Sequence, residues 1–148
     1  MRVTVDTVVL FGLLNRGDQH HERPVRDYND LNARHARFFV PRIVLVETFG
    51  LITRRKVGKD ARLAAADRIR TLDWPLEEHR TGDFRQAESW WRQFADWPID
   101  FPDALIVATS VRLGVDSIWT HDTDLGKFCN HAAPRLKQIG TGFRELSP

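Results

Sequence analysis

The chain has 148 residues, 42% hydrophobic and 28% charged, with 22 basic against 20 acidic side chains and a formal net charge of +2. That composition belongs to an ordinary globular protein and excludes a disordered chain, which would carry fewer apolar residues and a larger net charge. A single cysteine, Cys129, excludes an internal disulfide, makes a poor zinc site and predicts an intracellular home. The longest apolar runs, about ten residues, are too short to cross a bilayer, and the N-terminus lacks a signal-peptide hydrophobic region. A soluble, cytoplasmic protein with no membrane association is expected. It should form one domain over residues 1–148, large enough to bury roughly two-thirds of its unfolded surface.

In chain order, Val3-Thr4-Val5 predicts a short buried strand that ends at Asp6-Thr7. Val8 to Leu14 is apolar at helical spacing and stops before the turn cluster Asn15-Arg16-Gly17-Asp18. Pro24 suits the first turn of a helix running to about His35, and Phe38-Phe39-Val40 makes a second strand. Pro41 starts a helix to about Lys56 that is apolar nearly all round, which predicts a buried helix with a basic end at Arg54-Arg55-Lys56. Lys59 to Leu72 is a further amphipathic helix, carrying Ala61, Leu63-Ala64-Ala65 and Ile69. Trp74-Pro75-Leu76 is a connector or a minor strand. Asp83 to Trp97 should be helical, with a stripe of Phe84, Ala87, Trp90, Trp91 and Phe94. Asp100-Phe101-Pro102 leads into a helix from Asp103 to Leu113, closed by Gly114. Val115 to Thr120 is a strand, Asp124 to His131 a short helix and Leu136 to Ile139 a last strand. Strands alternating with helices predict an α/β fold, a three-layer α/β/α sandwich around a mostly parallel sheet of four to five strands.

Five carboxylates stand inside or against the most apolar stretches. Asp6 closes the first strand, Glu47 interrupts the run from Ile43 to Ile52, Asp103 opens Asp103-Ala104-Leu105-Ile106-Val107-Ala108, and Asp122 and Asp124 follow Ser117-Ile118-Trp119-Thr120. No Lys or Arg lies within those runs, so a divalent cation is the natural counter-charge if the acids converge. Each acid also has a plainer explanation. Asp6 could cap a helix, Asp103 could sit in a first helical turn, Asp122 and Asp124 could serve a turn, and Glu47 could snorkel from a helix edge. These explanations must hold one by one, whereas one metal site accounts for every position. Oxygen-only ligands suit Mg²⁺ or Mn²⁺, which points to metal-assisted phosphodiester hydrolysis.

The ordered series Val5-Asp6-Thr7, Leu45-Val46-Glu47, Pro102-Asp103-Ala104-Leu105-Ile106-Val107-Ala108-Thr109 and Thr120-His121-Asp122-Thr123-Asp124-Leu125 resembles a PIN domain. It is most similar to the VapC-type toxins of bacterial toxin–antitoxin pairs. The resemblance implies a Mg²⁺- or Mn²⁺-dependent endoribonuclease in which Asp6, Glu47, Asp103 and Asp122 match the acidic quartet that holds metal and activates water. Asp124 matches a second acid of the last motif, and Thr7 and Thr120 match hydroxyls that orient the acids. Leu125 departs from the more usual Phe, which should affect packing and not chemistry, and His121 maps to no role. The resemblance further implies an RNA substrate, a homodimer, and a cognate VapB-like antitoxin that blocks the acidic pocket.

Arg54, Arg55 and Lys56 could contact RNA phosphates or form an ordinary solvated helix end, and His20 and His21 have a weaker claim of the same kind. Trp90 and Trp91 are adjacent, so on a helix one should pack inward and the other lie half exposed. Cys129 reads as a small packed residue on the last helix. Two rivals stand beside the nuclease. An aspartyl-phosphate phosphatase would need an acid two residues after Asp6, where Val8 stands, and a catalytic Lys, for which the chain offers no convincing candidate. A PIN-like module that binds RNA or a partner without cutting would not need all the principal acids, and all are present.

Overall fold

Short strands, β-branched at Val3-Thr4-Val5 and aromatic at Phe38-Phe39, form a sheet that is parallel throughout among the described residues, 1–140 of the computed structural model. Its order is β3 (Leu76–Glu77), β2 (Arg37–Pro41), β1 (Arg2–Val5), β4 (Ser117–Trp119), β5 (Lys137–Ile139). Val5 pairs in register with Trp119, and Thr4 lies between Phe39 and Ile118. Val3, Val5, Val40, Ile118 and Trp119 are wholly buried, as expected for strands covered on both faces.

Among the described residues seven helices connect the strands: α1 (Thr7–Leu14), α2 (Glu22–Ala33), α3 (Arg42–Arg54), α4 (Lys59–Thr71), α5 (Thr81–Gln93), α6 (Phe101–Leu113) and α7 (Thr123–Ala132). The chain leaves β1 toward β2 and β3, then returns to the other side of β1 for β4 and β5. Right-handed crossovers in these opposite directions put α1–α4 over one face and α5–α7 over the other. Packing agrees with this division. Helix α1 packs on α2, α3 and α4, while α5 packs on α6, and Trp90 of α5 and Phe94 just beyond it stand edge-on to Phe128 of α7. Residue by residue, Thr4 turns to the α6 side, where its hydroxyl is hydrogen-bonded to that of Ser110 at 2.9 Å. Phe38 and Trp119 turn to the α2 side, with ring centroids 5.8 Å apart. The reversal of direction at β1 and β4 is the topological switch point, where open parallel sheets form their binding crevices.

Some expected elements shift. Helix α3 is not buried all round: Val44, Leu45, Thr48 and Ile52 face the core, but Val46 is 59% and Phe49 44% exposed. Its apolar character overstated its burial because one side is left uncovered in this chain. In α4 only Ala65 is buried and Leu63 is 55% exposed. In α5 the expected inward stripe is broken, since Ala87 is buried while Phe84 stays 46% exposed; the helix closes at Gln93, with Phe94 already outside it. Helix α6 begins at Phe101 and not at Asp103, because Asp100 supplies the cap and Pro102 is tolerated in a first turn. No described helix is long and apolar enough to cross a membrane.

Candidate active site

Three helix starts meet the carboxyl edge of the sheet at the switch point, and each brings an acid. Asp6 ends β1 and caps α1, its Oδ1 accepting the Thr7 N–H at 2.7 Å. Asp122 follows β4 and caps α7, its Oδ1 accepting the N–H groups of Asp124 at 2.8 Å and Leu125 at 3.3 Å. Asp103 lies in the first turn of α6, in a reciprocal box: it donates its N–H to Asp100 Oδ1 at 2.9 Å, and its Oδ2 accepts the Asp100 N–H at 3.3 Å. Capping and convergence are therefore not alternatives. The partial positive charge of each helix start favours the carboxylate that the fold needs there.

Glu47 arrives differently, from the middle of α3. It accepts a 2.8 Å hydrogen bond from the Thr7 hydroxyl, which joins it to the residue after Asp6. Thr120 does the same across β4. Its hydroxyl donates to Asp6 Oδ2 at 2.6 Å and accepts the Asp122 N–H at 3.0 Å, so one buried side chain ties two of the acids together.

The acids lie within electrostatic reach of one another. Burial pushes the Asp6 carboxyl up to about 6; hydrogen bonds from Thr120 and Thr7 pull against the rise, and the charges of Asp122 and Glu47 add to it. Asp103 is raised to about 8, first by burial and then by the charges of Asp100 and Asp6. Glu47 is also raised, by burial and by Asp100, while the Thr7 hydrogen bond and Arg54 oppose the rise. Among the described residues no Lys or Arg bonds to Asp6, Asp103 or Asp122. Asp124 stands apart, 45% exposed and 3.9 Å from the Lys127 ammonium.

Among the described residues, no three Asp, Glu, His or Cys side chains are grouped tightly enough to hold a metal ion by themselves. The chemistry of the donors still decides what could fit. They are carboxylate oxygens with no thiolate or imidazole among them, and they hold protons against each other for lack of positive charge. Mg²⁺ keeps several waters and uses one or two carboxylates plus substrate phosphates in place of an all-protein cage, so this looser arrangement suits it.

Of the basic candidates, Arg54 lies close enough to Glu47 to oppose its rise, whereas Arg55 and Lys56 are exposed beyond the end of α3. His20 is exposed, and His21 turns inward to the Gly12 carbonyl at 2.6 Å. Trp91 is half exposed and Trp90 packs on Phe128, in keeping with their adjacency. Cys129 is wholly buried beneath the site, its thiol pushed up to about 12 by burial and then by Asp6 and Asp103, which makes it inert. Leu125 is wholly buried in the core.

Sequence reasoning missed Asp100, whose charge acts on both Glu47 and Asp103; the Asp-x-x-Asp capping pattern at 100–103 was its available signal. It also missed Asp27. That carboxylate on α2 sits 2.8 Å from His121 Nε2 and 3.3 Å from the Trp119 indole nitrogen, and so pins α2 to the segment that carries Asp122. No local sequence signal announces a pair so far apart in the chain.

The PIN domain family profile matches residues 3–130. A crystal structure of Mycobacterium tuberculosis VapC20, a sarcin–ricin-loop-cleaving toxin, superposes with a TM-score of 0.71 at 26% identity, covering 84% of this chain and 93% of that one. VapBC2 from Rickettsia felis, bound to a DNA fragment from its promoter, gives a TM-score of 0.67 at 15% identity over 94% of this chain and 98% of that one. FitAcB from Neisseria gonorrhoeae gives 0.67 at 16% identity over 93% and 96%. No curated protein matches the chain.

Proposed function

The chain belongs to the PIN-domain family, and from that premise we propose that it is a Mg²⁺- or Mn²⁺-dependent endoribonuclease acting in the cytoplasm as the toxin of a toxin–antitoxin pair. The carrying observation is Asp6: a carboxylate 3% exposed, raised by burial and by two neighbouring acids, with no bonded Lys or Arg among the described residues. Above about pH 6 such a group is charged at a cost that a cation would offset, and Glu47, Asp103 and Asp122 offer further oxygens.

Asp6, Glu47, Asp103 and Asp122 would hold the ion, which when bound would supply positive charge to the scissile phosphate and acidity to an attacking water. The chain's own residues do the rest. Thr120 and Thr7 fix the oxygens of Asp6 and Glu47 so that little reorganisation is needed. A cation held there would favour the charged form of Asp6 and Asp103, which burial and neighbouring acids disfavour in the metal-free chain. Arg54, with Arg55 and Lys56 beyond it, would attract the RNA backbone. Asp124 takes a supporting part in ordering the start of α7.

The relation to VapC20, which cuts an RNA loop, supports RNA as the substrate class. The crystallised VapBC2 complex supports a VapB-like antitoxin as the partner. The exposed Val46 and Phe49 offer an apolar face for a second subunit in a homodimer.

Incubating the purified protein with total and structured RNAs, with Mg²⁺ or Mn²⁺ and then with excess chelator, tests this reading. Cleavage should require the metal and be abolished by Asp6→Asn and Asp103→Asn in proteins that remain folded by circular dichroism. Equal cleavage in chelator would refute the metal mechanism. RNA bound but left intact under every metal condition would favour a binding module.

A further inference from the structure

The two helices that carry Glu47 and Asp103 share a bridge to which none of the four site acids belongs. His79, in the segment between β3 and α5, accepts the Ile43 N–H at Nε2, 3.1 Å away. Ile43 is in the first turn of α3, one turn before Glu47 and on the same side of that helix. The other ring nitrogen, Nδ1, lies 2.8 Å from the Thr109 hydroxyl on α6. Thr109 donates its own proton to Asp83 Oδ2 at 3.3 Å, so toward His79 it can only accept. The ring is thus fixed in one neutral tautomer, proton on Nδ1 and a bare Nε2, by groups whose own roles leave no choice.

The surroundings keep it so. Asp83, 2% exposed, is bound by Arg112 at 2.8 and 2.9 Å, and Arg112 also reaches the Glu78 carbonyl at 2.9 Å. Arg42, beside Ile43, pairs with the Glu78 carboxylate. The segment 78–79 is therefore tied to α3 at two points and to α6 at two points. Of the charged groups facing the ring, Asp83 and Glu78 favour its protonation and Arg112 opposes it; burial outweighs them and holds the imidazole below its ordinary value. Phe84 covers the ring edge, 5.9 Å between centroids.

We propose that His79 is a positioning residue for the acidic site: by bridging the first turn of α3 to the middle of α6 it sets how far apart Glu47 and Asp103 stand. This rests on the metal-dependent reading given above. A carboxylate pair that shares a cation tolerates little displacement, and supporting hydrogen bonds around metal ligands typically matter by one to two decades. Glutamine can accept the Ile43 N–H with its oxygen and donate to Thr109 with its nitrogen. Alanine can do neither.

The test compares wild type, His79→Ala and His79→Gln for Mn²⁺ affinity by calorimetry and for steady-state RNA cleavage. His79→Ala should weaken Mn²⁺ binding and lower kcat by about 10- to 100-fold with KM for RNA little changed, and His79→Gln should recover most of both. A folded His79→Ala with wild-type Mn²⁺ affinity and kcat, even at a reduced melting temperature, would leave His79 a stability residue and overturn the proposal; so would a His79→Gln no better than the alanine variant. If wild type binds Mn²⁺ yet cuts no RNA, only the nuclease reading falls, and the three affinities still decide the role of His79. If wild type neither binds nor cuts, both fall.

Discussion

Thr120 is the smallest group on which the site turns. Its hydroxyl both donates to Asp6 and accepts from the Asp122 backbone, and its bond is the largest influence opposing the burial of Asp6. Thr120→Val keeps the shape and removes both bonds, at a stability cost of about 1–3 kcal/mol for the buried groups left unpaired. Because that bond lowers the Asp6 value, its loss should move the Asp6 titration above about 6, read by carbon NMR in metal-free protein. Asp100 works in the opposite sense. Its charge raises Glu47 and Asp103, and Asn caps a helix as well as Asp does. Asp100→Asn should therefore lower both values while leaving α6 intact, a result the same titration would show. At this scale the sequence was legible where an acid interrupts apolar residues, as at Asp6 and Glu47. It was silent on Asp27 and His79, whose partners lie 94 and 36 positions away and follow no local pattern.

Helix starts are where this fold turns sequence into chemistry. The cap that a chain of this kind needs at α1, α6 and α7 is an acid in each case, and the parallel sheet delivers all three starts to one edge. That much followed from strand–helix alternation and from the position of each Asp just after a strand or before an apolar helix. The degree of burial did not follow. Helix α3 reads as apolar on every side, yet Val46 and Phe49 face outward, because composition does not say which face a neighbour will cover. Helices α5 and α6 are clamped by Asp83 and Arg112, a pair whose carboxylate is held below its usual range as Arg112 and the Arg80 N–H outweigh the effect of burial. Asp83→Ala removes one partner of a largely buried pair and frees the Thr109 hydroxyl, so urea denaturation should report a loss of about 3–5 kcal/mol. Asp83 itself looked in the sequence like one more helix-start residue.

Across the whole molecule the acids impose a pH dependence on the metal-free protein. In the folded state Asp6 and Asp103 hold their protons to about 6 and about 8, higher than in an unfolded chain, where the value is near 3.8. The stability they contribute is full below the unfolded value and is lost as pH rises through the folded ones. Asp103→Asn removes the Asp103 share of that loss. Metal-free Asp103→Asn should melt above wild type at pH 8.5, and the gap should close as the pH falls toward 4; added Mg²⁺ should raise the wild type and not the variant. The most direct test of a shared cation is calorimetric titration of Mn²⁺ into metal-free wild type, Asp6→Asn, Glu47→Gln, Asp103→Asn and Asp122→Asn at pH 8. Convergence on one ion predicts measurable binding by wild type and a loss of about tenfold or more in every variant. Wild-type affinity retained in any of the four would contradict it.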